Sequence, residues 1–332
     1  MKHLFVGDLH FGVNEDDLNY IKYQTDSLDW IVSKVKELNV TNVHILGDMF
    51  DNRKYLSHLS INMFNLFKNM LGDKCSIVVV GNHDCYYKNS NLLNAPKLLM
   101  DNKWVVYDDC LEFHDMIFVP WINKNNHDRI CEQIKKSKKK YCVGHFELSG
   151  FKMGKGIASK HDTIDRKLLD KFDKVISGHY HSHSIRDNIV YVGTPYEINF
   201  NDEGEDKFIL LLEDDEFTYL KNPLTYHKQL VIKNEDDLLE ISKIKDKKVK
   251  VKLECERNIK IEKWLMELKD KVDCDIFEYK GEIVIDENIE INTMELREIW
   301  TEYINSATIQ GDLNEVNRIF EEEYNKIING VR

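Results

Sequence analysis

Five times in the first 181 residues, an apolar run ends in a glycine followed at once by a metal-type ligand. The five are Leu4-Phe5-Val6-Gly7-Asp8, Val43-His44-Ile45-Leu46-Gly47-Asp48, Ile77-Val78-Val79-Val80-Gly81-Asn82, Tyr141-Cys142-Val143-Gly144-His145 and Val175-Ile176-Ser177-Gly178-His179. Two continue by alternation, to Asp8-Leu9-His10 and His179-Tyr180-His181, and a third to Asn82-His83-Asp84. Short β-branched runs closed by glycine predict buried strands that enter tight turns. In an open α/β sheet, ligands bind outside the carboxyl ends of the strands. The pattern therefore predicts two Asp, one Asn and four His at one edge of one sheet. That is a two-metal site in outline, with the chemistry of a hydrolase.

The chain has 332 residues, enough for two or three domains. Four Pro and 15 Gly leave little room for disordered linkers. No apolar stretch approaches the ~20 residues of a membrane span, so no membrane association is expected. Met1-Lys2-His3-Leu4 runs directly into the first strand, so a removable signal peptide is not expected. The seven Cys form no Cys-x-x-Cys pair, which predicts free thiols in a reducing cytoplasm. A net charge of −12 counts against a nucleic-acid binder, but its distribution changes the weight. Residues 281–332 hold 12 acids and 4 bases, a balance of −8, which leaves −4 for residues 1–280. Two bound divalent cations would offset four further negative charges.

From residue 1 to about 200 the pattern alternates strand and helix, which predicts an α/β fold, a layered sandwich. Leu28, Ile31, Val32, Val35 and Leu38 give 22–39 a helical face. Residues 56–71 carry a wider one, with Leu56, Leu59, Met63, Phe64, Leu66, Phe67 and Met70, which fits a core helix or a dimer interface. Runs at 116–121 and 189–193 predict further strands, and 207–212 with 216–220 a hairpin. A boundary falls near Asn222-Pro223. Beyond it, 228–285 predicts a small α+β unit, with strands at Gln229–Lys233, Lys248–Leu253 and Ile283–Ile285 and a helix at Ile261–Leu268. The segment 293–328 predicts two amphipathic helices, a tail that packs on its own domain or binds a partner groove.

Asp8 and His10 are two apart, as are His179 and His181, so on a strand each pair points one way. Such pairs could clasp ions from opposite sides, with the Asp48 carboxylate as the bridge. A mixed set of Asp, His and Asn suits Mn²⁺, Fe²⁺ or Zn²⁺. Two such ions ~3.5–4 Å apart can clamp a phosphoryl group. His83 follows Asn82 directly and need not ligate. It can stabilise charge on the phosphate or protonate the leaving oxygen, with Asp84 orienting it. His44, His58, His114, His161 and His227 lack such a context and read as structural, while His127 and His183 fit either role. Lys152, Lys155 and Lys160 lie among glycines after His145 and suit contact with a phosphate backbone. Lys135-Lys136-Ser137-Lys138-Lys139-Lys140 reads instead as a solvated helix end.

Asp8-x-His10, Gly47-Asp48-x-x-Asp51, Gly81-Asn82-His83-Asp84, Gly144-His145 and Gly178-His179-x-His181 together resemble the motif set of the calcineurin-like metallophosphoesterases. Gly47-Asp48-Met49-Phe50-Asp51 followed by Arg53 resembles the SbcD family of double-strand-break repair nucleases. So do Val119-Pro120-Trp121 and Tyr191-x-Gly193-Thr194-Pro195. Cys142-Val143-Gly144-His145-Phe146-Glu147-Leu148-x-Gly150-Phe151 is most similar to the phage recombination-endonuclease version of that subunit. The resemblance is strong over 1–200 and only architectural over 225–332.

The resemblance implies an αββα sandwich at 1–222 as the nuclease domain, a capping, DNA-binding domain at 223–290 and a helical segment at 291–332. It implies one ion held by Asp8, His10, Asp48 and His181, and another by Asp48, Asn82, His145 and His179, with His83 in the catalytic role. Mn²⁺ is the expected ion, Mg²⁺ the alternative. Arg53 joins the three lysines as a DNA-contact candidate. The implied activities are 3′–5′ double-strand exonuclease and single-strand endonuclease, in the cytoplasm of a bacterial or phage-infected cell. The implied partners are DNA, a second copy of the chain, and an SMC-like ATPase of SbcC type bound through 293–328. Asp51 departs from the His of some cellular members, which puts the balance of the two activities in question. The rivals are a phosphatase or phosphodiesterase acting on a non-DNA substrate at the same site, and a non-enzymatic scaffold.

Overall fold

The computed structural model describes residues 1–100, 104–154, 157–278 and, further on, Arg318 and Phe320. The chain groups into a compact unit, Met1–Lys280, and a second, Gly281–Arg332. The first unit is built on two six-stranded sheets. One has the order β16-β15-β1-β2-β3-β6, with β1 Lys2–Val6, β2 Asn42–Ile45, β3 Cys75–Val79, β6 Val105–Val106, β15 Phe208–Glu213 and β16 Glu216–Lys221. The other has the order β13-β14-β12-β9-β8-β7, with β7 Leu111–Phe113, β8 Met116–Val119, β9 Tyr141–Gly144, β12 Lys174–Ser177, β13 Ser184–Arg186 and β14 Ile189–Tyr191. The glycine-ligand strands β1, β2 and β3 run parallel in the first sheet, and β9 and β12 run parallel in the second. The predicted single sheet is therefore two. A run-glycine-ligand junction is a local signal, identical on either sheet, whereas long-range pairing assigns each strand to its layer.

Alternation along the strands builds the layers. β1 sends Leu4 and Val6 to a core shared with Leu28 and Ile31 of helix α1 (Leu18–Glu37) and Phe64 and Phe67 of α2 (His58–Leu71). Its Phe5 turns the other way, to a core between the sheets with Phe118, Val143 and Ile176. β8 sends Ile117 and Val119 outward to Ile130 and Ile134 of α4 (His127–Lys136). Helix, sheet, sheet and helix are thus stacked as an αββα sandwich. Asp17 caps α1 by accepting from the Tyr20 amide, and Ser57 caps α2 by accepting from the Ser60 amide. A short helix, α3 (Ala95–Leu99), follows the hairpin β4 (Cys85–Tyr87) and β5 (Ser90–Asn94), which the sequence pattern does not predict. A second small hairpin pairs β10 (Lys152–Gly154) with β11 (Ile157–Ala158).

Strands β17 (His227–Ile232), β18 (Lys248–Leu253) and β19 (Cys274–Glu278) form a separate parallel sheet. A parallel pair needs a crossover, which α5 (Ile259–Lys271) supplies between β18 and β19. Ile261, Trp264, Leu265 and Leu268 of α5 pack on Val249, Val251 and Leu253 as a core of their own. The predicted strand at Ile283–Ile285 and the tail at 293–328 lie outside the described residues, apart from Arg318 and Phe320, which are helical. Lys155 also lies outside them. All seven cysteines are free thiols. Among the described residues no helix is long and apolar enough to cross a membrane.

Candidate metal centre

The seven predicted donors leave the carboxyl ends of their strands at the edge where the two sheets meet. Asp8, Asp48, His10 and His145 are fully or almost fully buried. The Asp8 carboxylate accepts from the His179 amide at 2.9 and 3.1 Å, a bond from the first sheet to the second. Asp48 Oδ1 accepts from the His83 amide at 2.7 Å, while its Oδ2 lies 3.4 Å from His145 Nε2 and 3.9 Å from His10 Nε2. Asn82 Oδ1 lies 3.0 Å from His145 Nε2 and 2.9 Å from His179 Nδ1. The His181 ring meets the His10 ring edge on, centroids 4.9 Å apart. Trp121 lays its indole against the rings of His145 and His179, at 5.8 and 5.2 Å.

Hydrogen bonds behind the donors fix which atoms face inward. His145 Nδ1 donates to Leu46 O at 2.8 Å, so its Nε2 is the ring atom that faces Asn82 and Asp48. His10 Nδ1 donates to Asp51 Oδ1 at 3.1 Å, and its Nε2 is buried without a hydrogen-bond partner. Two groups of potential ligand atoms converge, Asp48 with His145 and His179, and His10 with Asp51 and His83. Burial, reinforced by His145, holds the His179 pKa down at about 3, and burial with His10 holds His181 at about 4, so both are neutral imidazoles. Burial opposes protonation of His145, yet Asp48 and Asp8 raise its pKa to about 9. Oxygen and nitrogen lone pairs that crowd one another in a dry pocket, beside carboxylates that demand positive charge, fit divalent cations.

Glycine is required where the elements touch. At Gly47, φ is +104°, and a Cβ would collide with the His145 ring. At Gly178 a Cβ would lie 2.5 Å from Leu46 O and 2.6 Å from Asp8 Oδ1.

Several expectations change. β1 ends at Val6 and β12 at Ser177, so Asp8-x-His10 and His179-x-His181 are in turns, not on strands. His10 and His179 have positive φ, which re-aims each ring independently and breaks the assumed two-residue alternation. Asp84 does not orient His83. Its buried carboxylate accepts from the amides of Met49, Phe50 and Gly81, and so ties two of the ligand loops together. His83 is held instead by Asp51, whose carbonyl accepts from Nδ1 at 2.6 Å. Asp51 thus contacts both His10 and His83, a role its sequence position alone does not reveal. Arg53 is half-buried on the following loop, and Lys152 and Lys160 are exposed.

An αββα sandwich with nitrogen and oxygen donors converging at the carboxyl edge of its strands defines a metal-dependent phosphoester hydrolase. Residues 1–183 match the profile of the calcineurin-like phosphoesterases. Exonuclease subunit 1 of Enterobacteria phage T4 is 31% identical over 244 residues, which cover 69% of this chain and 70% of that protein. Among solved structures, the phosphoesterase YfcE from E. coli is 12% identical with a TM-score of 0.32, over 65% of this chain and 91% of that one. A dimetal phosphatase from Danio rerio is 14% identical with a TM-score of 0.42, over 67% and 95%. The chain belongs to the calcineurin-like phosphoesterase family and is a metal-dependent phosphodiester hydrolase.

Proposed function

We propose that the chain is the nuclease subunit of a DNA-processing complex. In this reading it is a 3′–5′ double-strand exonuclease and single-strand endonuclease that works with an SMC-like ATPase of SbcC type in recombination and repair. The observation that carries the reading is the convergence of Asp8, His10, Asp48, Asn82, His145, His179 and His181 in a chain 31% identical to an exonuclease subunit. Those seven residues would hold two divalent cations, Mn²⁺ or Mg²⁺, with Asp48 between them. The ions supply Lewis-acid stabilisation at the phosphoryl group.

The chain supplies the rest. His83 is fixed through Nδ1 by the Asp51 carbonyl, which leaves Nε2 to stabilise charge on the phosphate or to protonate the leaving oxygen. Trp121 shields the rings of His145 and His179 from solvent on one side. Arg53, Lys152 and Lys160, with Lys155, would meet the phosphate backbone.

The helix α2 supports a homodimer: Met63, Phe64 and Phe67 face inward while Leu59 and Leu66 stay about 40% exposed. The separate core of β17–β19 and α5 supports a capping domain at 223–290 beside the nuclease domain at 1–222. The segment 291–332 is assigned to the ATPase, an assignment supported by the relative being a subunit. The test is cleavage of end-labelled duplex and single-stranded DNA with Mn²⁺, with the ATPase and ATP added or withheld. Hydrolysis of small phosphodiesters with no cleavage of DNA under any condition would sink the nuclease reading and favour the non-DNA rival.

A further inference from the structure

The hairpin β4–β5 begins one residue after Asp84, so it stands beside the metal centre. Tyr86 is three residues from His83, a Cα separation of at most about 11 Å. The base of the hairpin is buried and fixed. Cys85 Sγ lies 3.3 Å from both Gly81 O and Asn91 Oδ1. The Asn91 side-chain amide donates to Trp121 O at 2.6 Å, and that of Asn94 donates to Asn91 O at 2.7 Å. Trp121 is the residue that packs on His145 and His179, so the hairpin and the metal centre share a wall.

The tip is the opposite of the base. Tyr86 and Tyr87 are 40% and 54% exposed. Consecutive strand residues normally face opposite sides. Here the two rings meet edge to face, centroids 4.8 Å apart. The pairing shifts register between Cys85 and Tyr87, and such a bulge re-aims side chains. Cations are carried by the hairpin and by the loops at its base. Lys88 follows Tyr87 and is exposed, and Arg53 lies within electrostatic reach of Cys85. Lys124 is exposed next to Asn123, whose side-chain amide donates to Asn91 Oδ1 at 2.9 Å. Exposed aromatic rings with cations alongside are the chemistry that recognises single-stranded nucleic acid, because bases stack on the rings and cations follow the phosphates.

We propose that Tyr86 and Tyr87 form a base-stacking subsite that holds unpaired nucleotides next to the scissile phosphodiester. The subsite rests on the nuclease reading and adds the base to what the chain recognises. The test compares, with the full chain and Mn²⁺, cleavage of a single-stranded oligodeoxynucleotide and of an abasic strand of equal length. The wild-type chain cleaves the base-bearing strand about 5- to 100-fold faster. In Y86A/Y87A that ratio falls close to one, while Y86F/Y87F keeps it. Titration calorimetry with Mn²⁺ alone checks that the alanine variant still assembles its metal centre. Equal wild-type rates on the two strands overturn the subsite without any variant, as does an unchanged ratio in Y86A/Y87A. A variant that loses both rates equally and sediments as a smaller species overturns it too, and assigns the pair to contact with a second copy of the chain. A wild-type chain that binds Mn²⁺ yet cleaves neither strand overturns the nuclease reading itself, and the subsite with it.

Discussion

At the scale of single residues, the centre separates side chains that would hold metal from side chains that aim them. His83 contributes its amide to Asp48 and its Nδ1 to the Asp51 carbonyl, and neither bond needs the ring to ligate. His83→Ala is therefore expected to lower DNA cleavage by about 10²-fold or more, the usual scale for a positioned acid or base. Mn²⁺ affinity measured by calorimetry should change little, and cleavage at the wild-type rate would remove His83 from its role. Asp51 is the reverse case. Its carboxylate accepts from His10 Nδ1 and thereby fixes the tautomer that turns Nε2 inward. Asp51→Ala should weaken Mn²⁺ binding by about 10- to 100-fold, the range for a group that orients a metal-binding His. Unaltered affinity would show that packing alone orients the His10 ring.

At the scale of elements, much was legible and the omissions have physical causes. The strands that bear the donors are continuous apolar runs because parallel strands buried on both faces must be, and each stops at a glycine that a side chain could not replace. Their division between two sheets was not legible, since pairing partners lie far off in sequence: β1 joins β15 some 200 residues away. The hairpin Cys85–Asn94 escaped because its apolar residues come in adjacent pairs, Tyr86-Tyr87 and Leu92-Leu93, and its pairing is bulged, so no period-two pattern survives. The orienting role of Asp51 escaped because it depends on φ > 0 at His10, a turn conformation that spacing does not encode.

His3 on β1 and His44 on β2 stack at 5.2 Å and share a 2.9 Å hydrogen bond inside the fold. Burial, with His114 beside it, lowers the His3 pKa to about 4, and burial with His3 lowers that of His44. Well above pH 6.5 both rings are neutral whether the chain is folded or not, so this contribution to stability is complete. As the pH falls from 6.5 toward 4, the unfolded chain binds protons that the folded chain refuses, and stability drops. The pair should lower the denaturation midpoint across that window, and H3F/H44F should remove its contribution to the slope. A slope that the double variant leaves intact would place the acid sensitivity elsewhere.

At the scale of the whole molecule, the same donors that suit catalysis also join the two sheets. Asp8, His10, Asp48 and Asn82 follow β1, β2 and β3, whereas His145, His179 and His181 follow β9 and β12. Ions held among them would tie one sheet to the other at the edge where the direct bonds include those from the His179 amide to Asp8, from His145 Nδ1 to Leu46 O and from the Trp121 amide to Val80 O. An unfolded chain offers no such arrangement, so binding stabilises the folded state by mass action, about 2.7 kcal/mol at a hundredfold excess over Kd. For a unit of this size that is a rise in Tm of roughly 5 °C. Scanning calorimetry of the full chain should show Tm climbing with the logarithm of Mn²⁺ concentration and falling back with a chelator. Asp48→Asn, which removes a negative charge from the middle of the donor set, should lose most of that dependence. A chain whose Tm ignores Mn²⁺ while its nuclease activity requires it would mean that the donors are brought together by the sandwich alone, and that the ions contribute to the reaction without contributing to the fold.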